Sequence, residues 1–336
     1  MMHSLRILTA GPHASIQDRG RPGQQWLGIP EGGVLDRDAF ALGNALVGNP
    51  ADAAVIEVCL GNFSAELMTR AKVALTGTSA GTLTVQDPGG HSMTVEANRS
   101  VDLAAGRIIR LGVIPDSNTA TIAISGGVDA PLFYHSRSTS PSAGIGGFDG
   151  GFLQDGQIIP LGVVETPDAA EWMASDTLKD TGQPIRCVRG PQDDRFTENA
   201  LSVFFSAEYT VSPILNRMGM RLDGEVLEHR TNADIPSDGI VTGTVQVPGN
   251  GLPIVLLADH QSTGGYTKIA TVITADMPRL ARLRPGEGLR FTEVTVAEAE
   301  AIARQHHDRL GAVLAGLQLA PPIVDLAALY ALGDTT

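Results

Sequence analysis

Short apolar runs rich in β-branched residues are the main feature of the hydrophobic pattern along the chain. Clusters of Gly, Pro, Asp and Asn separate these runs, at intervals typical of β-barrels and β-sandwiches. The pattern therefore predicts strands at residues 71–76, 82–86, 108–113 and 120–124 in the first half of the chain, and at residues 184–188, 239–246, 254–258 and 269–273 in the second half.

Three segments carry signals for a helix instead. Asp36 is a suitable cap for a helix over residues 37–47. Thr197 can open a second helix, and Thr295 and Glu298 have the spacing of a capping box at the start of a third. The chain is therefore predicted to be mainly β, with few short helices.

A change of composition near the middle divides the chain into two β lobes. Residues 165–172 have the pattern of a short helix or a linker, and a polar run follows them. This boundary predicts an N-terminal lobe at residues 1–165, a C-terminal lobe at 180–295, and a C-terminal helix and tail at 296–336.

Composition and charge narrow the classes of protein further. Of the 336 residues, 43% are hydrophobic and 18% are charged, as in globular proteins. The net charge of −13 argues against nucleic acid as the main partner. The chain has no secretory leader pattern and no apolar stretch of the ~18 residues that span a membrane. We therefore expect a cytoplasmic protein with no membrane partner, in which Cys59 and Cys187 are buried, reduced thiols.

Several familiar sequence motifs are either absent or lie in an unsuitable structural context. Residues 77–81 have the G-x-S-x-G spacing of a nucleophile elbow, but a strand pattern follows where the elbow needs a helix, so a hairpin turn is predicted. The sequence contains no G-x-x-x-x-G-K-[ST] phosphate loop. His306 and His307 would point about 100° apart on one helix, which favours a solvated face over a metal site. No metal site is predicted.

The densest polar cluster follows the apolar run that ends at Ala258. Within residues 259–268, Asp259 could orient or deprotonate an amide nitrogen, and Lys268, expected to be an exposed lysine in a cleft, could neutralise a carboxylate. We assign catalytic roles to these two residues. The alternative is a polar hairpin with a salt bridge. Substrate contacts are predicted for the side chains or backbone of Gln261, Thr263, Gly264, Gly265 and Tyr266.

Two further clusters are candidates for substrate binding. Arg217 and Arg221 lie four residues apart around a glycine, a spacing that suits a planar carboxylate. The alternative is a strand whose arginines pair with surface acids. Residues 236–240 are predicted to form a turn that leads to Gln246. A purely structural role for this turn is favoured over direct contact with a ligand.

A glycine-rich loop near the N-terminus is the last candidate. Residues 16–23 combine glycines with Asp18, Arg19 and Arg21, which implies a loop with tightly specified backbone angles. The two arginines are candidates for interface or ligand contacts, while a structural loop pinned by Asp18 is the favoured interpretation.

Taken together, these segments resemble one known family, the allophanate hydrolase subunit 2 or biotin-dependent carboxyltransferase family, which includes the C-type subunit of 5-oxoprolinase. The resemblance covers about residues 5–292. It is carried by residues 11–12, 17–23, 28–36, 44–49, 57–61, 126–129, 136–139, 146–148, 190–193, 212, 217–219, 237–239 and 259–268.

The resemblance implies two β-barrel-like lobes, with a barrel related to cyclophilin, and a partner subunit of related type. It implies ATP as a cofactor of the complex, or biotin in the urea carboxylase-like members. The leading expectation is a subunit of an ATP-dependent 5-oxoprolinase, which opens a small cyclic amide. The alternatives are the carboxyltransferase component of a urea carboxylase-like system and a non-enzymatic antagonist of a kinase inhibitor.

Two positions depart from the family pattern. Gly151 stands where the family often has Arg, and the pair Tyr134 and His135 is unusual. If the arginine contacts substrate in relatives, Gly151 leaves the identity of the substrate open.

Overall fold

Two β-sheets packed face to face form the first half of the chain in the computed structural model, which describes residues 3–164, 169–175 and 182–323. The six-stranded sheet contains, in spatial order, β11 (Ile158–Pro160), β1 (Ser4–Thr9), β4 (Gly61–Leu67), β9 (Ile108–Val113), β6 (Thr82–Gln86) and β7 (Ser92–Glu96). The five-stranded sheet contains β2 (His13–Gln17), β3 (Val55–Cys59), β10 (Thr119–Ile124), β5 (Ala71–Thr76) and β8 (Ser100–Leu103). One apolar cluster takes side chains from both sheets, so their inner faces form a shared core.

Helix α1 (Arg37–Val47) covers the outer face of the five-stranded sheet. Its Phe40 and Leu46 pack in one cluster with Val55 of β3 and Ala74 of β5. The central strands of this sheet are therefore buried on both faces, which explains their nearly continuous apolar sequences.

A nine-stranded, near-closed barrel forms the second half of the chain. Its strands are, in spatial order, β20 (Gly288–Leu289), β14 (Tyr209–Leu215), β15 (Gly219–Asp223), β18 (Ile254–Leu256), β17 (Thr244–Val247), β19 (Thr263–Val272), β13 (Ile185–Arg189) and β21 (Phe291–Glu293), with β16 (Asp234–Gly239) paired to β19. Helix α2 (Glu198–Ser206) packs on the barrel, where Phe204 stacks on Phe291 at 4.6 Å between ring centroids. The short helix α3 (Met277–Arg282) precedes β20.

The last described elements return to the first lobe. Helix α4 (Val296–Ala315) leaves the barrel, and its Val313 and Leu314 pack against the apolar cluster around α1. Strand β22 (Gln318–Leu319) then pairs with β12 (Trp172–Met173). No helix in the described ranges is long and apolar enough to cross a membrane.

Local signals predicted most elements correctly. The mainly β class with few helices is confirmed, and so are the three predicted helix starts. Asp36 accepts hydrogen bonds from the first turn of α1, Thr197 caps α2, and Thr295 forms a capping box with Glu298. Both cysteines are buried and unpaired, as expected.

Three predictions about local structure are wrong because tertiary pairing decides them. Residues 77–81 are not a hairpin turn, since β5 and β6 belong to different sheets. Residues 239–246 do not form one strand, because β16 ends at Gly239 and β17 starts at Thr244. Residues 236–239, predicted as part of a turn, belong to β16, which pairs with β19.

The predicted lobe boundaries at residues 165 and 180 lie outside the described residues, as do residues 324–336 of the predicted tail. The division into 1–165, 180–295 and 296–336 therefore stays a prediction. The sheets are consistent with it, since the first two contain residues 4–160 and the barrel contains residues 185–293.

The expected solvated face at His306 is also wrong. The imidazole Nε2 of His306 lies 2.8 Å from Oδ1 of Asp38 on α1, while His307 is exposed. The hydrogen bond to Asp38 raises the pKa of His306 above its ordinary value. Protonated His306 therefore helps to dock α4 on α1.

This contact predicts a pH-dependent contribution to stability. Because the folded-state pKa of His306 is raised, its contribution is present in full below the unfolded-state pKa of about 6.5 and is lost as the pH rises through the folded-state pKa. His306→Asn should therefore lower the free energy of unfolding by less than about 1 kcal/mol near pH 6, and by less still near pH 9. Urea denaturation at the two pH values measures the difference. His307→Asn is the control, and an equal loss for His306→Asn at both pH values would contradict this account.

Candidate functional site

A buried cluster of charges lies where the two lobes meet. The guanidinium of Arg217 donates to both carboxylate oxygens of Asp259, at 2.9 and 3.1 Å, and also pairs with Glu57 of β3. It donates a further hydrogen bond to the carbonyl of Gly33, at 2.6 Å. Arg217 thus connects the N-terminal lobe, the glycine-rich loop and the barrel.

Backbone hydrogen bonds also hold the residues around this cluster in place. The amide of Asp259 donates to the carbonyl of Arg217 at 2.9 Å, and the amide of Gly32 donates to the carbonyl of Ala258 at 3.0 Å. The second oxygen of Glu57 accepts from the amide of Leu35 at 2.6 Å. Although burial alone would lower the pKa of Arg217, the two carboxylates raise it above its ordinary value. Arg217 is therefore a permanent cation that fixes the orientation of Asp259.

A second polar cluster surrounds Lys268 on β19. Its ammonium lies 2.8 Å from Oδ2 of Asp238, and the register of the barrel pairs Lys268 with Gln246 of β17. The hydrogen bond from Lys268 lowers the pKa of the Asp238 carboxyl. The side chain of Lys268 is only 3% exposed, whereas that of Asp238 is 55% exposed. The expectation of an exposed lysine is wrong, because the side chain of Lys268 is buried in the barrel and paired with Asp238.

The amide of Gln246 faces Gly264 inside the barrel wall. Its Nε2 atom is buried without a hydrogen-bond partner among the described residues. A methyl group at Gly264 would lie 2.5 Å from that atom, so a larger residue there would displace the end of the Gln246 side chain. Gln246 therefore offers an unused donor beside Lys268.

The remaining predicted residues are placed around these clusters. Arg217 and Arg221 do not form a two-arginine clamp, since Arg217 is buried in the ion cluster and Arg221 is exposed on β15. Asp259 and Lys268 each pair with a different partner. Other predicted contacts lie along or just before β19, where Gln261, Thr263 and Tyr266 are exposed and Gly264 and Gly265 are half-buried.

The candidate site residues chosen from the sequence left out two buried titratable residues, Glu57 and His260. Glu57 had a readable signal, because a carboxylate inside the apolar strand β3 needs a buried partner. His260 follows Asp259, and its Nδ1 lies 2.6 Å from the carbonyl of Gln261. Burial lowers the pKa of His260, so its imidazole is neutral at pH 7.

The favoured interpretation of the N-terminal loop is confirmed. Asp18 accepts hydrogen bonds from the amides of Gly20 and Arg137 and from the hydroxyls of Ser136 and Ser138, at 2.6 to 2.8 Å. These contacts tie the loop to residues 136–138. They hold Arg21 next to the ion cluster.

A cleft of about 460 Å³ opens beside the ion cluster. Glu31 and Gly32 of the glycine-rich loop form one part of its wall, and Leu257 and Ala258 of the barrel form another. Residues of α4, among them Ala299, close the far side. The cleft is thus formed by both lobes and by the helix that returns between them.

Residues 27–293 match the family described as "Carboxyltransferase domain, subdomain A and B". The chain belongs to this family. The resemblance inferred from the motifs is thereby confirmed. This carboxyltransferase-domain chain is 36% identical over 305 residues to the C-type subunit of 5-oxoprolinase from Escherichia coli, and the match covers 91% of this chain and 96% of that protein.

Two further relatives extend the comparison. The chain is 32% identical over 300 residues to the C-type subunit of 5-oxoprolinase from Haemophilus influenzae, covering 89% of this chain and 94% of that protein. The crystal structure of the K. lactis urea amidolyase superimposes with a TM-score of 0.83 at 23% identity, over 93% of this chain and 20% of that one. The second similarity shows that this chain has the fold of one segment of the amidolyase.

The ion cluster of this carboxyltransferase-domain protein predicts a large effect of one substitution. Arg217→Met leaves two buried carboxylates without their cation, and this should cost about 3–5 kcal/mol of unfolding free energy. Arg221→Met, at an exposed position four residues on, should change it by no more than ~0.5 kcal/mol. Urea denaturation followed by circular dichroism measures both. Similar losses for the two variants would show that the cluster does not hold the lobes together.

Proposed function

We propose that this chain is a subunit of an ATP-dependent 5-oxoprolinase that acts with a related partner subunit. The observation that carries the proposal is the match to the C-type subunit of a bacterial 5-oxoprolinase, which covers nearly the whole length of both chains. The proposed substrate is 5-oxoproline, a cyclic amide that bears a carboxylate. ATP turnover is assigned to the assembled complex, in the cytoplasm.

The polar clusters supply the groups that such a substrate needs. Asp259, held by Arg217, orients the amide nitrogen or takes its proton. Lys268 neutralises the substrate carboxylate, for which Asp238 gives up its place at the ammonium. The unused donor of Gln246 lies beside Lys268 and can bind the same carboxylate. Arg217 acts as a positioning residue, since its guanidinium is committed to Glu57, Gly33 and Asp259.

The other predicted substrate contacts remain part of the proposal. Gln261, Thr263 and Tyr266 are exposed at or near the start of β19, and Gly264 and Gly265 follow the same strand. Arg221 is exposed on β15 and is proposed to attract the anionic substrate from solution.

A substitution pair tests the role of Lys268. Lys268→Met keeps the length of the buried side chain and removes its charge, and it should lower 5-oxoproline-dependent ATP turnover of the complex by more than about 100-fold. Asp238→Asn removes only the exposed partner and should retain turnover within about tenfold. Thermal unfolding of both variants checks that they are folded.

If the two variants lose activity alike, the ion pair has a structural role and the assignment is wrong. Full activity of Lys268→Met would also refute it. This comparison is needed because the burial of Lys268 makes a loss of stability a competing cause of lost activity.

The proposal also predicts a stable hetero-oligomer. An obligate interface of this kind buries more than ~2,000 Å² and is largely apolar. The chain and its related partner, mixed at micromolar concentration, should therefore elute together in size-exclusion chromatography. Separate elution of the two proteins would contradict the proposal.

The similarity to the urea amidolyase supports one alternative, the carboxyltransferase component of a biotin-dependent, urea carboxylase-like system. Assays of the co-purified complex distinguish the two. Turnover that depends on 5-oxoproline supports the leading proposal, and turnover that depends on urea and a biotinylated partner supports the alternative.

A further inference from the structure

Four arginines line a cavity that lies apart from the candidate functional site. This cavity has a volume of about 240 Å³ and opens between α1, α3 and α4. None of the described residues in its wall also lines the 460 Å³ cleft. The arginines are Arg186 of β13, Arg279 and Arg282 of α3, and Arg309 of α4. Guanidinium groups gathered around one space point to an anion as the ligand.

Hydrogen bonds hold two of these arginines in fixed positions. Arg186 donates to both carboxylate oxygens of Asp276, at 3.0 and 2.5 Å, and Asp276 is fully buried. Arg279 donates to the backbone carbonyls of Gln183 and Pro184. The side chains of Arg186 and Arg279 are nevertheless 34% and 15% exposed. The bonds to Asp276 raise the pKa of Arg186, so it is a permanent cation that is ordered before any ligand arrives.

The described residues around this cavity carry an excess of positive charge. Two carboxylates, those of Asp38 and Asp276, line it together with the four arginines. A third carboxylate, that of Asp36, pairs with Arg282 at 2.6 Å. His306 lines the cavity as well and adds a further positive charge when it is protonated. Four permanent cations thus meet three carboxylates here, although the whole chain has a net charge of −13.

A larger cavity of about 410 Å³ adjoins the arginine-lined one. Asp38, Arg279 and Arg282 belong to the walls of both, so a single molecule can extend from one cavity into the other. The rest of the larger wall combines apolar side chains with hydrogen-bonding groups. The apolar ones include Leu42, Leu310 and Val313, and the polar ones include Ser79, Asn98 and Asp116. Such a mixed wall suits a small organic group that carries polar atoms.

A phosphate ester fits the smaller cavity better than a carboxylate does. One guanidinium satisfies both oxygens of a carboxylate through two parallel hydrogen bonds. A phosphate ester carries up to two negative charges and three peripheral oxygens, so it can accept hydrogen bonds from several guanidiniums at once. The number of arginines therefore favours phosphate.

We propose that the two cavities together bind the phosphate ester of a small organic molecule, with the phosphate among Arg186, Arg279 and Arg309 and the organic group in the larger cavity. A nucleotide and a sugar phosphate share this chemistry, and the test distinguishes them. The inference goes beyond the proposed function, which assigns no phosphate site to this chain, and it does not rest on that function.

Calorimetric titration of the full chain identifies the source of the phosphate. ADP is the nucleotide probe and ribose 5-phosphate is the sugar phosphate probe, and at least one of them should bind. Inorganic phosphate should bind at least about tenfold more weakly than that ester, because it leaves the larger cavity empty. The matching compound without phosphate, adenosine or ribose, should also bind at least about tenfold more weakly, because it leaves the arginines unused.

Two charge reversals on α4 test the position of the phosphate. Arg309→Glu reverses a charge in the wall of the smaller cavity. Arg304→Glu is the matched control, because Arg304 is exposed on the same helix, lines neither cavity and gives the same change in net charge. With each ester that binds, Arg309→Glu should weaken binding at least about tenfold, and Arg304→Glu by no more than about twofold. Thermal unfolding checks that both variants are folded.

Four results would overturn the inference. These are no binding of ADP or ribose 5-phosphate, equal binding of the ester and its counterpart without phosphate, equal binding of the ester and inorganic phosphate, and equal effects of the two charge reversals. If Arg309→Glu does not fold, the titrations of the unmodified chain decide the matter. Turnover that depends on 5-oxoproline is measured separately, so the proposed function and the phosphate site can fail independently.

Discussion

The contacts of Arg217 with Glu57 and Asp259 are the interaction on which the arrangement of the molecule depends. Each residue comes from a different part of the chain, and none of the three has more than 6% of its side chain exposed. Charges this deeply buried tolerate little displacement, since separating them leaves an uncompensated ion in a medium of low polarity. Moving one lobe relative to the other would separate these charges at a high cost in free energy. The contact therefore fixes the two lobes relative to one another.

The two polar clusters of the site differ in their exposure to solvent. In the cluster around Arg217 the guanidinium is buried and bound to Glu57, Gly33 and Asp259, so it holds the Asp259 carboxylate in one orientation. The pair of Lys268 and Asp238 has one buried member and one half-exposed member. In the proposed function, the carboxylate of the substrate takes the place of Asp238 at the ammonium. The barrel thus contains a carboxylate whose partners are all buried and a buried ammonium whose partner is half-exposed.

Features set by local sequence could be predicted, and those set by distant contacts could not. The caps at Asp36 and Thr295 need only the neighbouring residues, and the predicted helix starts are correct. By contrast, the loop at 77–81 crosses between sheets, and His306 contacts a residue 268 positions away. The burial of Lys268 likewise depends on β16, a strand whose pairing with β19 no local pattern reveals.

The return of the chain to its first lobe affects how the two lobes can separate from one another. The chain crosses from the first lobe to the barrel once, and α4 with β22 brings it back, so the lobes are tethered at two places. Each tether keeps the effective local concentration of one lobe near the other high, and rejoining after a transient separation is then intramolecular. No residue of α4 is fully buried. This second connection is therefore held by partial packing, by the contact of His306 with Asp38 and by the pairing of β22 with β12. A single proteolytic cut in α4 would leave one covalent connection between the lobes, and the buried ions and the pair of Asp36 and Arg282 would be among the contacts that still join them.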